Sequence, residues 1–596
     1  MEQGKNSDRY VVVIDQDKIE PELARETVIN YDPLNRAGKE GGFYIDENEE
    51  LHIDEEDVME AHKMAINKYP YEGAIKMIQL PAEEGEKVHQ FHDNSFRLYG
   101  LPAPDEGSVV GIIGENGTGK SVALKILAGD IKPNLGDWEN PPEWEEIQER
   151  YRGTDLQNHF KKLAEEDVEA AFKPQKVEDI PKAYTGKVRE LLEGVAERKN
   201  VEEVAEQLDI EKLLDREVDV LSGGELQRVA IASTVLKEAD IYMIDEPSSF
   251  LDVKQRLNMG EEIRKLGEEK PVLAVEHDLA TLDLISDRIN IFFGDPGNYG
   301  MVSNALSSKD GVNRYLEGYL PSDNIRIRSD EIKFDRTKRS QVENKPVVAE
   351  FPKFTKDFGE GEFKLETEPG KIHDEEIMAI FGENGLGKTV FAKMLAGAIE
   401  SDEGDSPDIS ISYKPQYLDT SDAKVEDAIS EVANPNGRKF ETRIAEPLEL
   451  EPLYEQKLSE LSGGELQRVG VAICLAKDAD LYLLDEPSAY LDVESRVELG
   501  KTLKRFARKT EKPLMVIDHD LLLLDYIADR GMVFKGEPGE EGVSTEPKKI
   551  GEAMNEFLKE VEITFRKDPE TGRPRANKPD SQKDQSQRSK DEYYEQ

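Results

Sequence analysis

The nine residues LSGGELQRV stand at 221–229 and again, letter for letter, at 461–469. They belong to a longer repeat, and a repeat decides how many structural units a chain has before any residue is read singly. The first half runs GENGTGKS (114–121), LSGGE (221–225), IYMIDEPSSFLD (241–252) and VEHD (275–278). The second half runs GENGLGKT (382–389), LSGGE (461–465), LYLLDEPSAYLD (481–492) and IDHD (517–520), in the same order. Ser222 lies as far from Asp245 as Ser462 does from Asp485. The chain therefore holds two copies of one domain.

Each copy reads as α/β. The apolar runs VVGIIG and IMAIFG lead into the glycine loops, and the helical patterns SVALKILAG and TVFAKMLAG follow, which is strand, loop, helix. IYMID and LYLLD are almost wholly apolar, as expected of strands buried on both faces of a mostly parallel sheet.

Both loops fit GxxxxGK[ST], through Gly114, Asn116, Gly117, Gly119, Lys120 and Ser121, and through Gly382, Asn384, Gly385, Gly387, Lys388 and Thr389. In this pattern glycines let backbone N–H groups curl around nucleotide phosphates, the lysine supplies charge, and the hydroxyl ligates Mg²⁺. Asp245 and Asp485 end their strands where a carboxylate can hold that Mg²⁺ through water. The adjacent Glu246 and Glu486 are placed to polarise the attacking water, and His277 and His519 to contact the γ-phosphate. Gln157 and Gln416 are the expected Mg²⁺-sensing glutamines of a mobile loop. Ahead of the glycine loops, Phe96 and Phe363 are candidates to stack on adenine, with Phe91, Phe351 and plain core packing as the alternatives.

At 596 residues the chain has room for three or four domains. No apolar run approaches the roughly 18 residues that span a bilayer, and the first residues lack a signal-peptide layout, so a cytoplasmic protein without membrane contact is expected. One cysteine, Cys474, excludes an internal disulfide and a cluster held by four thiolates. With 127 Asp+Glu against 78 Lys+Arg, the net charge of −49 is spread along the chain. It reads as solvation for a high-salt, halophilic interior rather than as a binding patch, and it repels DNA at low salt.

Taken together, the glycine loops, LSGGE signatures, DEPS boxes and closing histidines resemble ATP-binding cassette (ABC) nucleotide-binding domains. That resemblance implies ATP and Mg²⁺ as ligands and ATP hydrolysis as the activity. It also implies that each signature serves the other copy: Ser222, Gly224 and Glu225 face the nucleotide held by Lys388, and Ser462, Gly464 and Glu465 the one held by Lys120. A monomer that pairs its two halves follows. A serine-capped helix start, with bare N–H groups and the positive dipole end, suits a γ-phosphate.

Within that class, LSGGELQRV in both copies, DEPSSFLDVKQR, VEHDL, the stretch at 140–162 and the ending EITFRKDPETGRPRANK resemble the ribosome-recycling ABC family of archaea and eukaryotes, also called the RNase L inhibitor family. The resemblance implies ATP-driven splitting of ribosomes after termination, on the small subunit and beside a release factor. An F-subfamily translation ATPase, which would need a long charged helical linker, and a small-subunit initiation scaffold are the alternatives. Expected boundaries are a ferredoxin-like domain at 1–80, the first cassette at 81–317 with a helix-loop-helix insertion at about 138–165, a hinge at 318–340, the second cassette at 341–561, a second hinge strip at 562–579, and a disordered tail at 580–596. Arg326, Arg328, Arg566, Arg573 and Arg575 in the two strips are candidates to meet RNA phosphate.

One departure is large. Family members carry eight cluster-binding cysteines near the N-terminus; here those places hold Ile19, Ala24, Val28 and Asp32, then Met59, His62, Ala65 and Tyr69, with Pro33 and Pro70 in register. No iron-sulfur cluster is expected. Ile19, Val28, Met59 and Tyr69 are expected to fill the vacated volume, and partial unfolding of the domain is the alternative.

Overall fold

The computed structural model describes residues 10–595 apart from 55–56, 72, 80–86, 323, 329–330, 333–341, 360–361, 417, 419 and 436. Most of the chain forms two nine-stranded sheets with the same strand order. At the centre of the first, Val109–Gly114 runs parallel to Arg288–Asp295 on one side and to Val272–Val275 on the other, and Ile241–Asp245 and Ala170–Lys173 follow in parallel. The second repeats this with Ile377–Phe381, Arg530–Glu537, Leu514–Ile517, Leu481–Asp485 and Ile411–Lys414. Val109–Gly114, Ile241–Asp245, Val272–Val275 and their three counterparts are buried along their whole length. Helices cover both faces, so apolar side chains are in demand on both sides of each strand. The glycine loops therefore leave the carboxyl ends of central strands, beside the strand ends that carry Asp245 and Asp485.

The insertion forms the helices Trp144–Arg150 and Leu156–Ala164, which close on Ile147, Leu156 and Phe160, with the Tyr151 and Phe160 rings 4.7 Å apart. Among the described residues no helix is long and apolar enough to cross a membrane.

A small ferredoxin-like α+β domain precedes the two cassettes. Its antiparallel pair, Tyr10–Ile14 with Ile75–Gln79, packs on short helices that include Pro21–Ala24, Pro33–Arg36 and Lys63–Ile66. Ala24, Val28, Ala65 and Tyr69 lie in its core with Val12, Phe43 and Leu51, and Ile19 packs at its edge. Met59 does not fill volume as expected: it is 39% exposed, because the chain there turns into a short 3₁₀ segment at Glu60–His62. Asp32 and His62, both fully buried, take the space instead. Asp32 caps Pro33–Arg36 by accepting from the N–H groups of Leu34 and Asn35 at 2.7 and 2.9 Å, and also accepts from Phe43 N at 3.2 Å. The His62 Nε2 atom lies 3.4 Å from Asp32 Oδ2.

The polar C-terminal stretch is ordered, contrary to the expected disordered tail. Gln582–Ser589 is a helix, Ser581 caps it, and Tyr594 is 3% exposed in a bridge to Phe565. A periodicity search sees no apolar face because the contact is polar: Thr564 Oγ1 donates to Asp584 Oδ1 at 2.6 Å, and Gln587 Nε2 donates to Phe565 O at 3.0 Å. Buried polar groups that are fully paired hold a surface as well as apolar ones do.

The arginine strips also differ from expectation. Arg573 is fully buried, and with Arg575 it faces Asp283 of the first cassette; Arg575 Nη2 donates to Asp283 Oδ1 at 2.8 Å and its Nη1 to Asp568 Oδ2 at 3.2 Å. Arg566 donates to Asn577, and Arg328 to Glu494. Arg328, Arg573 and Arg575 thus tie the connecting segments to the cassettes, and Arg566 braces its own strip; Arg326 is exposed. The expected hinge at 318–340 is only partly covered, since 323, 329–330 and 333–340 lie outside the described residues.

Candidate nucleotide sites

Each cradle is built by the local sequence. Gly119 and Gly387 sit at φ +90° and +85°, where a side chain is strained, and each starts the helix that carries the lysine. A Cβ at Gly119 would stand 2.6 Å from the Phe96 ring, and one at Gly387 2.8 Å from the Phe363 ring. Both phenylalanines therefore lie against the phosphate loop, whereas Phe351 is core and Phe91 is 46% exposed. The lysines fold back onto their own loops: Lys120 Nζ donates to Gly114 O and Glu115 O at 2.7 and 2.8 Å, and Lys388 Nζ to Gly382 O and Glu383 O at 2.8 and 2.7 Å.

At the second cradle Thr389 Oγ1 donates to Asp485 Oδ2 at 2.8 Å, and the Tyr413 hydroxyl donates to the same oxygen at 3.2 Å. Asp485 Oδ1 is buried with no hydrogen-bond partner. An orphaned carboxylate oxygen beside a threonine hydroxyl is the donor set a hard divalent cation takes, so the residues fit Mg²⁺. Ser121 follows Lys120 in the first cradle, and Asp245 ends its strand at 5% exposure.

Glu246 and Glu486 follow these aspartates in the left-handed region, φ +46° and +47°. Strain of this kind turns each side chain out of the sheet edge into the cleft. Burial and then Asp245 push the Glu246 carboxyl up, and burial and then Asp485 push Glu486 up to about 7. His277 Nε2 lies 3.7 Å from Glu246 Oε1, and His519 Nε2 lies 3.6 Å from Glu486 Oε1. Burial first, then Lys120 and Lys388 respectively, hold both imidazoles well below their ordinary range. Burial thus disfavours the imidazolium form of both, and their Nε2 atoms are buried without hydrogen-bond partners.

Gln416 reaches the second site: its Nε2 donates to Glu486 Oε1 at 2.8 Å. Gln157 does not reach the first. It lies in the insertion helix Leu156–Ala164, where its Oε1 accepts from Gly153 N at 2.9 Å. The group that touches Glu246 is Gln175, whose Nε2 donates to Oε1 at 2.6 Å. The signal was in the sequence: FKPQ at 172–175 matches YKPQ at 413–416. The lysines of that repeat were also missed. Lys173 Nζ donates to Asp245 O at 2.8 Å and Lys414 Nζ to Asp485 O at 2.9 Å, so each pins the backbone that carries the two acids; burial brings both amines down to about 8.

The two halves meet at the cradles. A cleft of about 1180 Å³ is lined from the first half by Ser222, Gly224, Glu225, Phe250 and Asp252, and from the second by Phe363, Asn384, Lys388, Thr389, Gln416, Asp485 and Glu486. Ser222 caps Gly223–Leu236 in a reciprocal box, with its own N–H donating to Glu225 Oε2 at 2.7 Å; Ser462 and Glu465 repeat this at Gly463–Ala476, with 2.8 Å. Gly464 packs beside Tyr490 and Leu491, where a Cβ would stand 2.9 Å from Tyr490 O. Backbone clasps cross the seam. Asp252 Oδ2 accepts from Asn384 N at 2.8 Å, and Asp492 Oδ2 from Asn116 N at 3.1 Å. These aspartates were read only as the ends of the DEPS boxes. Seeing them as clasps needs the two halves face to face.

Comparison with known proteins agrees with this geometry. The family model described as ABC transporter matches residues 104–249 and 369–489. An uncharacterized ABC transporter ATP-binding protein of Methanocaldococcus jannaschii is 46% identical over 98% of this chain and 97% of that protein. A solved model titled as ribosome-bound archaeal Pelota and ABCE1 is similar at 44% identity and TM-score 0.93, covering 99% of this chain and 100% of that one. A crystal structure titled as the complex of the archaeal ribosomal stalk protein aP1 and the archaeal ribosome recycling factor aABCE1 is similar at 48% identity and TM-score 0.79, over 86% of this chain and 99% of that one. The chain belongs to the E subfamily of ABC proteins, the RNase L inhibitor family.

Proposed function

We infer that this chain is an ATPase whose two halves close on two ATP molecules, and that the closing motion splits ribosomes into subunits. The observation that carries the reading is the shared cleft, in which Ser222, Gly224 and Glu225 of one half face Lys388 and Glu486 of the other. ATP seated there binds the closed form better than the open one, and only that difference drives motion. By the same pairing Ser462, Gly464 and Glu465 serve the nucleotide on Lys120. Asp485 and Thr389, and Asp245 and Ser121, would hold Mg²⁺, which supplies charge to the β- and γ-phosphates. Glu246 and Glu486 take the proton of the attacking water, and Gln175 and Gln416 hold those carboxylates in place. The neutral His277 and His519 offer an N–H to the γ-phosphate. Phe96 and Phe363 flank the loops where adenine stacks.

Ribosome recycling is the reading that the solved relatives favour, since their titles speak of a ribosome-bound state and of a recycling factor. The small subunit and a release factor are the partners, in the cytoplasm. The N-terminal domain works without an iron-sulfur cluster: Ala24, Val28, Ala65, Tyr69 and the Asp32–His62 pair occupy the cysteine places. Elemental analysis that finds several iron atoms per chain would refute this. The acidic surface is an adaptation to high salt, and melting at the same temperature in dilute buffer and in molar KCl would count against that. The test of the function is sedimentation of 70S particles with the protein, ATP and a release factor. Conversion to subunits, blocked by Glu246→Gln with Glu486→Gln, is expected; binding to the small subunit without splitting would make the chain an initiation scaffold instead.

A further inference from the structure

The two sites are related by the repeat, yet the charges across their seams differ. At the Lys388 site, Glu383 of the glycine loop faces Lys254 of the opposite half, 3.5 Å apart. The counterpart of Lys254 in the second half is Glu494, two residues past the clasp Asp492 just as Lys254 is two past Asp252. The counterpart of Glu383 is Glu115. At the Lys120 site, then, Glu115, Asp492 and Glu494 stand near one another and near the cradle Lys120, with a carboxylate in the place that Lys254 fills at the other site. Asp492 is tied to Asn116 N, next to Glu115, and burial and then Asp492 push the carboxyls of both Glu115 and Glu494 up.

The missing charge comes from the connecting segment. Arg328 Nη1 donates to Glu494 Oε1, and its Nη2 donates to the carbonyls of Tyr315 and Leu316, at 3.2 Å for the latter. The guanidinium carbon sits 5.3 Å from the Tyr315 ring centroid, and the Tyr315 hydroxyl donates to the Glu494 carboxylate as well. Arg328 and Glu494 side chains are 18% and 17% exposed, so the pair is largely shielded from solvent. A largely shielded guanidinium that also holds two carbonyls is a fixed fork rather than a mobile surface charge.

We propose that Arg328 is the cation that completes the seam at the Lys120 site, in the place that Lys254 fills at the Lys388 site, so that closure of the Lys120 site alone depends on the first connecting segment. Arg328 is a positioning residue: it acts through Glu494 on the helix Val493–Thr510, whose capping residue Asp492 holds the opposite glycine loop. The inference deepens the paired-site reading above and rests on it.

The test uses full-length chains carrying Glu246→Gln and Glu486→Gln, loaded with radiolabelled ATP and Mg²⁺ and chased with unlabelled ATP. Adding Lys388→Ala leaves only the Lys120 site to report, and adding Lys120→Ala leaves only the Lys388 site. Arg328→Ala is expected to shorten retention at the Lys120 site by about tenfold, the scale of one lost charge-assisted hydrogen bond, and to leave the Lys388 site within about twofold. Glu494→Gln in the same chain, which removes the unpaired charge and keeps an acceptor for Tyr315, is expected to restore retention; Arg328→Lys is expected to retain most of it. Equal loss at both sites, or no rescue by Glu494→Gln, overturns the proposal. The mirror variant Lys254→Glu holds the test open if Arg328→Ala folds poorly: it must shorten retention at the Lys388 site, and an unchanged value overturns the proposal. If the starting chains retain ATP at neither site, the paired-site reading itself has failed, which is a different result.

Discussion

Gln175 and Gln157 offer a clean choice between two glutamines for one task. Gln175 is exposed, but its Nε2 donates to Oε1 of the buried Glu246 at 2.6 Å, while Gln157 is tied to Gly153 N in the insertion. A hydrogen bond to a charged, shielded carboxylate is worth about 1.5–3 kcal/mol. Because Glu246 must be aimed at the water in the transition state, that loss falls on kcat, and at 1.36 kcal/mol per decade it amounts to roughly a 10- to 150-fold drop. The two sites have to be separated first, so each substitution goes into a chain that carries Glu486→Gln, where turnover comes from the Lys120 site. Steady-state phosphate release is the assay. Gln175→Ala is expected to fall in that range with the melting temperature nearly unchanged, and Gln157→Ala to stay within about twofold. A drop for Gln157→Ala with none for Gln175→Ala would refute the assignment and with it the lobe geometry around Glu246.

Other outcomes follow from the same contacts. Asp252→Asn keeps a helix cap but turns an amide N–H toward Asn384 N, so closure on ATP, read by the distance between fluorophores on the two halves, should weaken by about 1.5–3 kcal/mol; an unchanged closed fraction would count against the clasp. Asp32→Ala strips three backbone N–H groups of their acceptor and leaves His62 buried alone, so the N-terminal domain should lose about 2–4 kcal/mol by hydrogen exchange while the cassettes keep theirs. Arg573→Met should leave stability the same or raise it, because Arg575 still pairs with Asp283 and a fully buried guanidinium is costly to desolvate; a loss of more than about 3 kcal/mol in denaturant unfolding would contradict this. Cys474, buried and with its thiol pushed up to about 11, should resist alkylation at pH 8 until the chain unfolds.

How far the sequence could be read depended on the kind of contact. Two cassettes, their sheets and their cradles were legible because they rest on local order: an apolar run, a glycine loop, a capped helix. Lys120, Lys388, Asp485, Glu246, Glu486, His277 and His519 sit within a few residues of such features, and of these Lys388, Asp485 and Glu486 line the cleft. Gln157 was misplaced because a helix-loop-helix insertion separates it from the first sheet, and an isolated glutamine has no pattern of its own; aligning FKPQ with YKPQ would have found Gln175. The arginine strips read as contacts for RNA phosphate because the internal partners of Arg575 and Arg328, Asp283 and Glu494, are far away in sequence. The ordered C-terminus was missed for a related reason: Thr564, Asn577, Asp584 and Gln587 bury polar atoms by pairing them, and hydropathy does not register that.

The central claim is that the ATP on Lys388 is gripped by the helix tip at Ser222, from the other half. Vanadate-dependent photocleavage reads this directly, since the trapped ADP–vanadate cuts the backbone it touches. In a chain carrying Lys120→Ala, with only the Lys388 site filled, cleavage is expected in the glycine loop at 382–389 and at Ser222. Cleavage at Ser462 in place of Ser222 would contradict the account.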